Sequence, residues 1–221
     1  MTIELVTLTT KDGVELDGAM YRPEAAAAKP ATSILMVHGL TWNFYRGPSR
    51  WLPPLLAASG FPCLSLNMRD HDLKEPRDFP LAYHDLRAGI DHLESTGSEV
   101  VVLAHGFACN KLVCYAATSG DERQRRQILT TFGAVKAYRP EIWSAVMASA
   151  PRMRGATLVV QGAVDPEIEP RARADELMAA ATGSRIDVEL LAGGDHYFNN
   201  RHAELAQAIT LWLGKTSLGA L

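Results

Sequence analysis

Aromatic residues make up only 7% of this 221-residue chain, there are three cysteines, and the formal net charge is −3. Each shortage excludes something. A charge balance this close to zero supplies no concentrated basic face, which nucleic acid or an anionic membrane would need as a partner. The densest run of charge, Glu122 to Arg126, reads as a solvated loop or helix end. Cys63, Cys109 and Cys114 are odd in number and show no paired spacing. That argues against a disulfide framework and fits a reducing compartment. No apolar run approaches the ~18 residues that span a bilayer. The N-terminal segment alternates apolar and polar residues and does not read as a signal peptide, so a cytoplasmic location is the expectation. His71, Asp72, His84, Asp85, Asp91 and His92 show neither HExxH nor clustered His/Cys spacing, so no metal is expected. No dinucleotide or phosphate-binding fingerprint is present, so no organic cofactor is expected either.

What is present is a regular alternation of elements. Ile3 to Leu8 and Val14 to Tyr21 alternate about Lys11-Asp12-Gly13, the pattern of a β-hairpin. Continuous apolar runs at 33–38, 61–66 and 100–104 predict strands buried on both faces. Further strands are expected at 128–132, 157–160 and 186–191. Helical spacing predicts helices over 48–59, 81–94, 108–118, 170–181 and 201–213, with Gly60 and Gly97 as stops after the first two. Buried strands alternating with helices imply βαβ units: a mostly parallel central sheet with helices on both faces and the hairpin at one edge. No repeat or linker divides residues 1–221, which read as a single α/β domain. The stretch from about 133 to 155 fits the rhythm least well and is expected to form a short helical cap.

Four segments fall at the carboxyl ends of expected strands, where open α/β sheets place their ligands. They are Met36-Val37-His38-Gly39-Leu40, Ala104-His105-Gly106-Phe107-Ala108, Gln161-Gly162-Ala163-Val164-Asp165 and Gly193-Gly194-Asp195-His196. In this order the chain resembles the α/β-hydrolase superfamily over nearly its whole length: HG loop, elbow, acid, histidine. The family's elbow reads G-x-S-x-G and opens a helix. Here the same strand, turn and helix read AHGFA, with alanines for the flanking glycines and Gly106 in place of the serine.

The resemblance implies roles. Asp165 would be the acid that orients His196, the base, and the backbone N–H groups of Leu40 and Phe107 would form an oxyanion hole. Backbone donors survive the loss of a serine, and the missing hydroxyl leaves room for about one water. The elbow residue is normally strained by roughly 1–3 kcal/mol. Glycine takes such angles freely, so the turn itself favours Gly106 once no hydroxyl is required.

Other residues near these segments carry plainer readings. His38 shapes the HG loop, and His105 has no chemical role implied by the family. Cys109, one helical turn past the elbow centre, reads as a packed small residue rather than a nucleophile. Arg69 and Asp70 fit either the pocket lining or a surface pair. Trp42, Tyr138 and Trp143, with His38, are candidates for lining a mostly apolar pocket that takes a small molecule.

Three functions follow. The first is an enzyme acting on a small carbonyl compound (an ester, thioester, lactone or activated C–C bond), in which the Asp165–His196 dyad activates water or the substrate itself. The second is an inactive pseudo-hydrolase that binds a small ligand in the old pocket. The third is a serine carboxylesterase represented by a nucleophile-to-glycine variant. The paired base and oxyanion hole favour the first. A small-molecule substrate is the expected partner, and a homodimer is compatible with the sequence.

Overall fold

A computed structural model of the chain describes residues 1–24, 31–71, 79–118, 125–133, 139–167 and 169–217. Its elements in chain order are β1 (Thr2–Thr9), β2 (Glu15–Arg22), β3 (Thr32–Val37), α1 (Pro48–Ala58), β4 (Cys63–Leu66), α2 (Phe79–Glu94), β5 (Glu99–His105), α3 (Phe107–Ala116), β6 (Gln127–Thr130), α4 (Pro140–Ser149), β7 (Thr157–Gly162), α5 (Pro170–Ala180), β8 (Ile186–Leu191) and α6 (His202–Ser217). By packing, these fall into two compact units, Met1–Ala104 and His105–Leu221.

In the first unit the strands run in the order β1-β2-β4-β3-β5. The hairpin pairs β1 with β2 antiparallel, Thr2 opposite Arg22 and Thr9 opposite Glu15. Strand β2 joins β4 antiparallel, whereas β4 and β5 both lie parallel to β3. The burial follows from the sequence pattern. Every residue of β3 and β4 is buried, as the unbroken apolar runs require, while the outermost strand β1 is mostly exposed. Helix α1 begins at Pro48, where a missing N–H costs nothing, and buries Leu52 and Leu56. Helix α2 buries Ala82, Leu86, Ile90 and Leu93 along one stripe. Full burial of each such aliphatic side chain stabilises by roughly 1.5–3 kcal/mol.

Arg69 resolves the choice left open for it. Its Nε donates to Asp85 Oδ1 at 2.8 Å, and its two terminal nitrogens donate to the two oxygens of Asp12 at 2.7 and 2.9 Å. Its backbone N–H also donates to Asp85 Oδ2 at 2.8 Å. One guanidinium thus ties the hairpin turn, the loop after β4 and helix α2. Asp85 is fully buried, and the network removes the cost of burying its charge. The Arg69 hydrogen bonds are the main cause holding the Asp12 carboxyl well below the usual carboxylate range.

In the second unit β6, β7 and β8 are mutually parallel, Gln127 opposite Thr157 and Thr157 opposite Ile186. Parallel neighbours need a crossover. The stretch read as a cap supplies one between β6 and β7: helix α4, then a 3-10 turn over Ala150–Arg152. Helix α3 is buried along its whole length. Arg126, read as part of a solvated run, is also buried, while residues 122–124 of that run lie outside the described residues. No helix among the described residues is long and apolar enough to cross a membrane.

Candidate active site

A single residue, Gly106, joins β5 to α3. Gly106 has φ 56° and ψ −122°. A side chain is rarely tolerated at such a φ, but glycine pays nothing for it. The Gly106 N–H donates to the Thr130 carbonyl at 2.8 Å, and its own carbonyl accepts from the Cys109 N–H at 3.1 Å. The Thr130 carbonyl also accepts the Cys109 thiol at 3.1 Å and the Thr131 hydroxyl at 2.7 Å. The elbow is therefore anchored to the end of β6. Cys109 is fully buried and burial pushes its thiol pKa far up, so its sulfur is a packed donor and not a nucleophile. Phe107 is the first residue of α3, so its N–H lies at the positive end of the helix dipole.

The acid stands three residues beyond β7. Gly162 closes that strand because the chain passes directly against the loop after β8. A Cβ at Gly162 would lie 2.6 Å from the Asp195 carbonyl oxygen and nearer still to that of Gly194. The Val164 N–H then donates to the Gly194 carbonyl at 3.0 Å, and the Ala163 N–H to Leu191 at 2.9 Å. These backbone bonds lock the two loops together and fix the side chains they carry.

The result is a close pair. His196 Nδ1 lies 3.0 Å from Asp165 Oδ2. The Asp165 side chain is fully buried, and that of His196 is 10% exposed. An ionised carboxylate only accepts, so the hydrogen between them sits on Nδ1. In a neutral ring Nε2 is then the free base. Asp165 Oδ1 accepts the Glu167 N–H at 2.8 Å, the turn that Asp-Pro dipeptides favour.

The histidine loop is held by its own side chains. Asp195 accepts from the backbone N–H groups of Tyr197 and Asn199 at 3.0 and 2.9 Å, and from the Asn199 side chain at 2.9 Å. Burial opposes ionisation of Asp195, but these hydrogen bonds outweigh it and hold its carboxyl below the ordinary range. The Arg201 Nε donates to the Ala192 carbonyl at 3.0 Å, bracing the other end. Phe198 and Asn200 both take positive φ, 56° and 60°, a strain that a fully buried Phe198 ring can hold in place. The Tyr197 ring meets the His196 ring edge-on at 4.9 Å. On another side His105, next to Gly106, lies 5.9 Å from His196 in a T-shaped contact. Its Nδ1 is 3.2 Å from the Thr130 hydroxyl.

Within the second unit His196 lies 3.0 Å from Asp165, and its ring is 5.9 Å from that of His105, the residue before Gly106. Trp143 is buried in the same unit, its ring 5.4 Å from Phe132 and its Nε1 donating to Glu176 at 3.2 Å. Tyr138 lies outside the described residues. His38, Leu40 and Trp42 belong to the first unit. There His38 Nδ1 donates to the Gly39 carbonyl at 2.8 Å, and its Nε2 accepts the Met68 N–H at 3.0 Å, so both ring nitrogens are spent on shaping the loop. Trp42 packs over Gly47, at the start of α1, and fills the space that a Cβ there would need. Leu40 is half-buried in the turn after β3. Among the described residues no group of His, Cys, Asp or Glu is arranged to hold a metal ion.

Sequence reading missed one residue. Glu167 Oε2 lies 3.6 Å from His196 Nε2, on the opposite side of the ring from Asp165. The only trace of it in the sequence is its spacing: two residues after the acid, past a proline that helps turn the chain back.

Comparison with solved structures decides the architecture. Dienelactone hydrolase from Anabaena variabilis is 18% identical, covers 97% of both chains and superposes with a TM-score of 0.73. The ferulic-acid-bound Est1E from Butyrivibrio proteoclasticus is 14% identical, with 95% of this chain and 98% of that chain covered and a TM-score of 0.78. This chain has the α/β-hydrolase fold. An α/β serine hydrolase without a lid, from Xanthomonas campestris, is similar in the same way, at 17% identity, 97% and 95% coverage and a TM-score of 0.73. No family model and no curated protein sequence matches the chain.

Proposed function

We propose that the chain is a hydrolase of small esters or related carbonyl compounds that works without a covalent acyl-enzyme. The observation that carries this is the 3.0 Å contact between His196 Nδ1 and the buried Asp165 carboxylate, beside an elbow that offers no side chain. Asp165 fixes the tautomer and stabilises the imidazolium as it forms. His196 takes a proton from water through Nε2, and the water oxygen attacks the acyl carbon. The oxyanion is stabilised by the Phe107 N–H at the head of α3. Collapse breaks the bond to the leaving alcohol, which collects the proton from Nε2. The names of the similar structures, a dienelactone hydrolase and a serine hydrolase among them, support ester or lactone substrates.

Intact-protein mass spectrometry during hydrolysis of an ester and lactone panel tests the mechanism. Product release without any acylated protein is expected, whereas the Gly106→Ser protein should accumulate an acyl adduct on the new serine. An acyl adduct on the unaltered chain overturns the proposal.

A further inference from the structure

The dyad has two carboxylates, and the mechanism above uses only one. Glu167 faces the outer nitrogen of His196, 3.6 Å away. That separation exceeds the ~3.2 Å limit of a good hydrogen bond. With the hydrogen on Nδ1, Nε2 and the Glu167 carboxylate are both acceptors. Two acceptors set face to face repel unless a donor with two hydrogens sits against both. Water is the smallest molecule with two hydrogens on one atom. The placement is built into the fold. The Glu167 N–H is held by Asp165 Oδ1 at 2.8 Å, so the turn that presents the acid also presents the second carboxylate. Its side chain is 53% exposed, so it has access to solvent.

We propose that Glu167 is a catalytic residue that binds and aims the hydrolytic water. This rests on the direct-hydrolysis reading of the dyad and names the group that replaces the absent nucleophile as the partner of Nε2. The water gives one hydrogen to Nε2 and the other to Glu167, which turns an oxygen lone pair away from both and toward the acyl carbon. In the reaction the Nε2 hydrogen transfers to the ring and the C–O bond to water forms. The tetrahedral intermediate then collapses, the C–O bond to the alcohol breaks, and the alkoxide takes the proton from Nε2. The second water hydrogen stays on what becomes the product acid and leaves with it, and Glu167 returns unchanged. No oxidant, metal or further reactant enters.

The test separates water attack from every other step. Gly106→Ser supplies a nucleophile, so p-nitrophenyl acetate should give a burst of acylation and then slower deacylation, and water attacks only in the second phase. Adding Glu167→Ala is expected to slow deacylation by about tenfold to a hundredfold more than it changes the burst rate. Glu167→Gln, which keeps an accepting oxygen, should restore most of that loss. Equal slowing of both phases, slowing of the burst alone, or no effect on either overturns the proposal. A crystal structure of the unaltered chain that resolves waters gives a second reading if Gly106→Ser does not fold. An ordered water within hydrogen-bond distance of both Nε2 and Glu167 is expected, whereas a direct Nε2–Glu167 hydrogen bond overturns it. Failure here and failure of direct hydrolysis are distinguishable. If the unaltered chain turns nothing over yet Glu167→Ala slows deacylation more than the burst, Glu167 keeps its role and direct hydrolysis falls. If the unaltered chain hydrolyses esters and Glu167→Ala does not lower kcat, the reverse holds.

Discussion

Gly162 and Gly194 pass so close that neither strand end has room for a side chain on the Gly162 side: a Cβ there would press into the carbonyl oxygens of both Gly194 and Asp195. Asp165 and His196 stand three and two residues beyond these glycines. Their contact is therefore set by backbone packing more than by either side chain. Gly162→Ala should force the β7 and β8 loops apart, lengthen the Asp165–His196 hydrogen bond and destabilise the protein by roughly 1–3 kcal/mol through overpacking. Denaturant unfolding measures the stability, and the Nδ1–H proton resonance of His196 reports the hydrogen bond. A variant with unaltered stability and an unaltered resonance would show that the loops do not depend on this approach.

Arg69 governs acid stability in the first unit. The Asp12 carboxyl is held below its ordinary value of about 3.9, first by its hydrogen bond to Arg69. A depressed carboxylate contributes stability that is full above the unfolded-state value and is lost as pH falls through the folded-state value. The chain should therefore lose this contribution below about pH 4. Arg69→Met removes the contribution at neutral pH and takes the guanidinium away from the buried Asp85, a change that costs about 3–5 kcal/mol when a buried pair is broken. Unfolding curves between pH 3 and pH 8 should show a large loss at neutral pH that shrinks toward the acid end. A loss of equal size at every pH would contradict the account.

The elbow makes a stability prediction that is independent of activity. Gly106 sits at φ 56°, where any L side chain is strained by about 1–3 kcal/mol. Gly106→Ala and Gly106→Ser should both lower the unfolding free energy by an amount in this range. Equal or higher stability in both would mean that the turn does not require glycine.

The cysteines should be silent. All three are buried, and burial raises the thiol pKa of each. A thiol reagent should label none of them at neutral pH until the protein is unfolded. Fast labelling of Cys109 in the native protein would reopen its candidacy as a nucleophile.

Local pattern carries most of the fold. The segment Ile186–Leu191, apolar residues alternating with Asp187 and Glu189 before two leucines, predicts β8 to the residue. Other edges shift by tertiary pairing. Strand β7 extends to Gly162, two residues past its apolar run, because β8 continues to pair there. Helix α3 starts one residue earlier than its pattern, directly on the elbow. The order of HG loop, elbow, acid and histidine along the sequence points to Asp165 and His196, since strand ends of a parallel sheet meet at one edge. Glu167 was not legible. Its side chain reaches Nε2 only through a turn whose direction depends on the Asp165 carboxylate. Arg69 was equally open in the sequence, because its partners lie 57 and 16 residues away. Trp143 reads as pocket lining from its place in the expected cap, and its hydrogen bond to Glu176 spans 33 residues that no local pattern connects.

Turnover of the unaltered chain beside its His196→Ala variant tests the central claim most directly, on one panel of esters, thioesters and lactones. The account predicts hydrolysis of at least one compound by the unaltered chain and a fall of about 10²–10⁴ in kcat/KM in the variant, the share of rate that a positioned base contributes. Hydrolysis that appears only after Gly106→Ser, or that His196→Ala leaves unchanged, would contradict it.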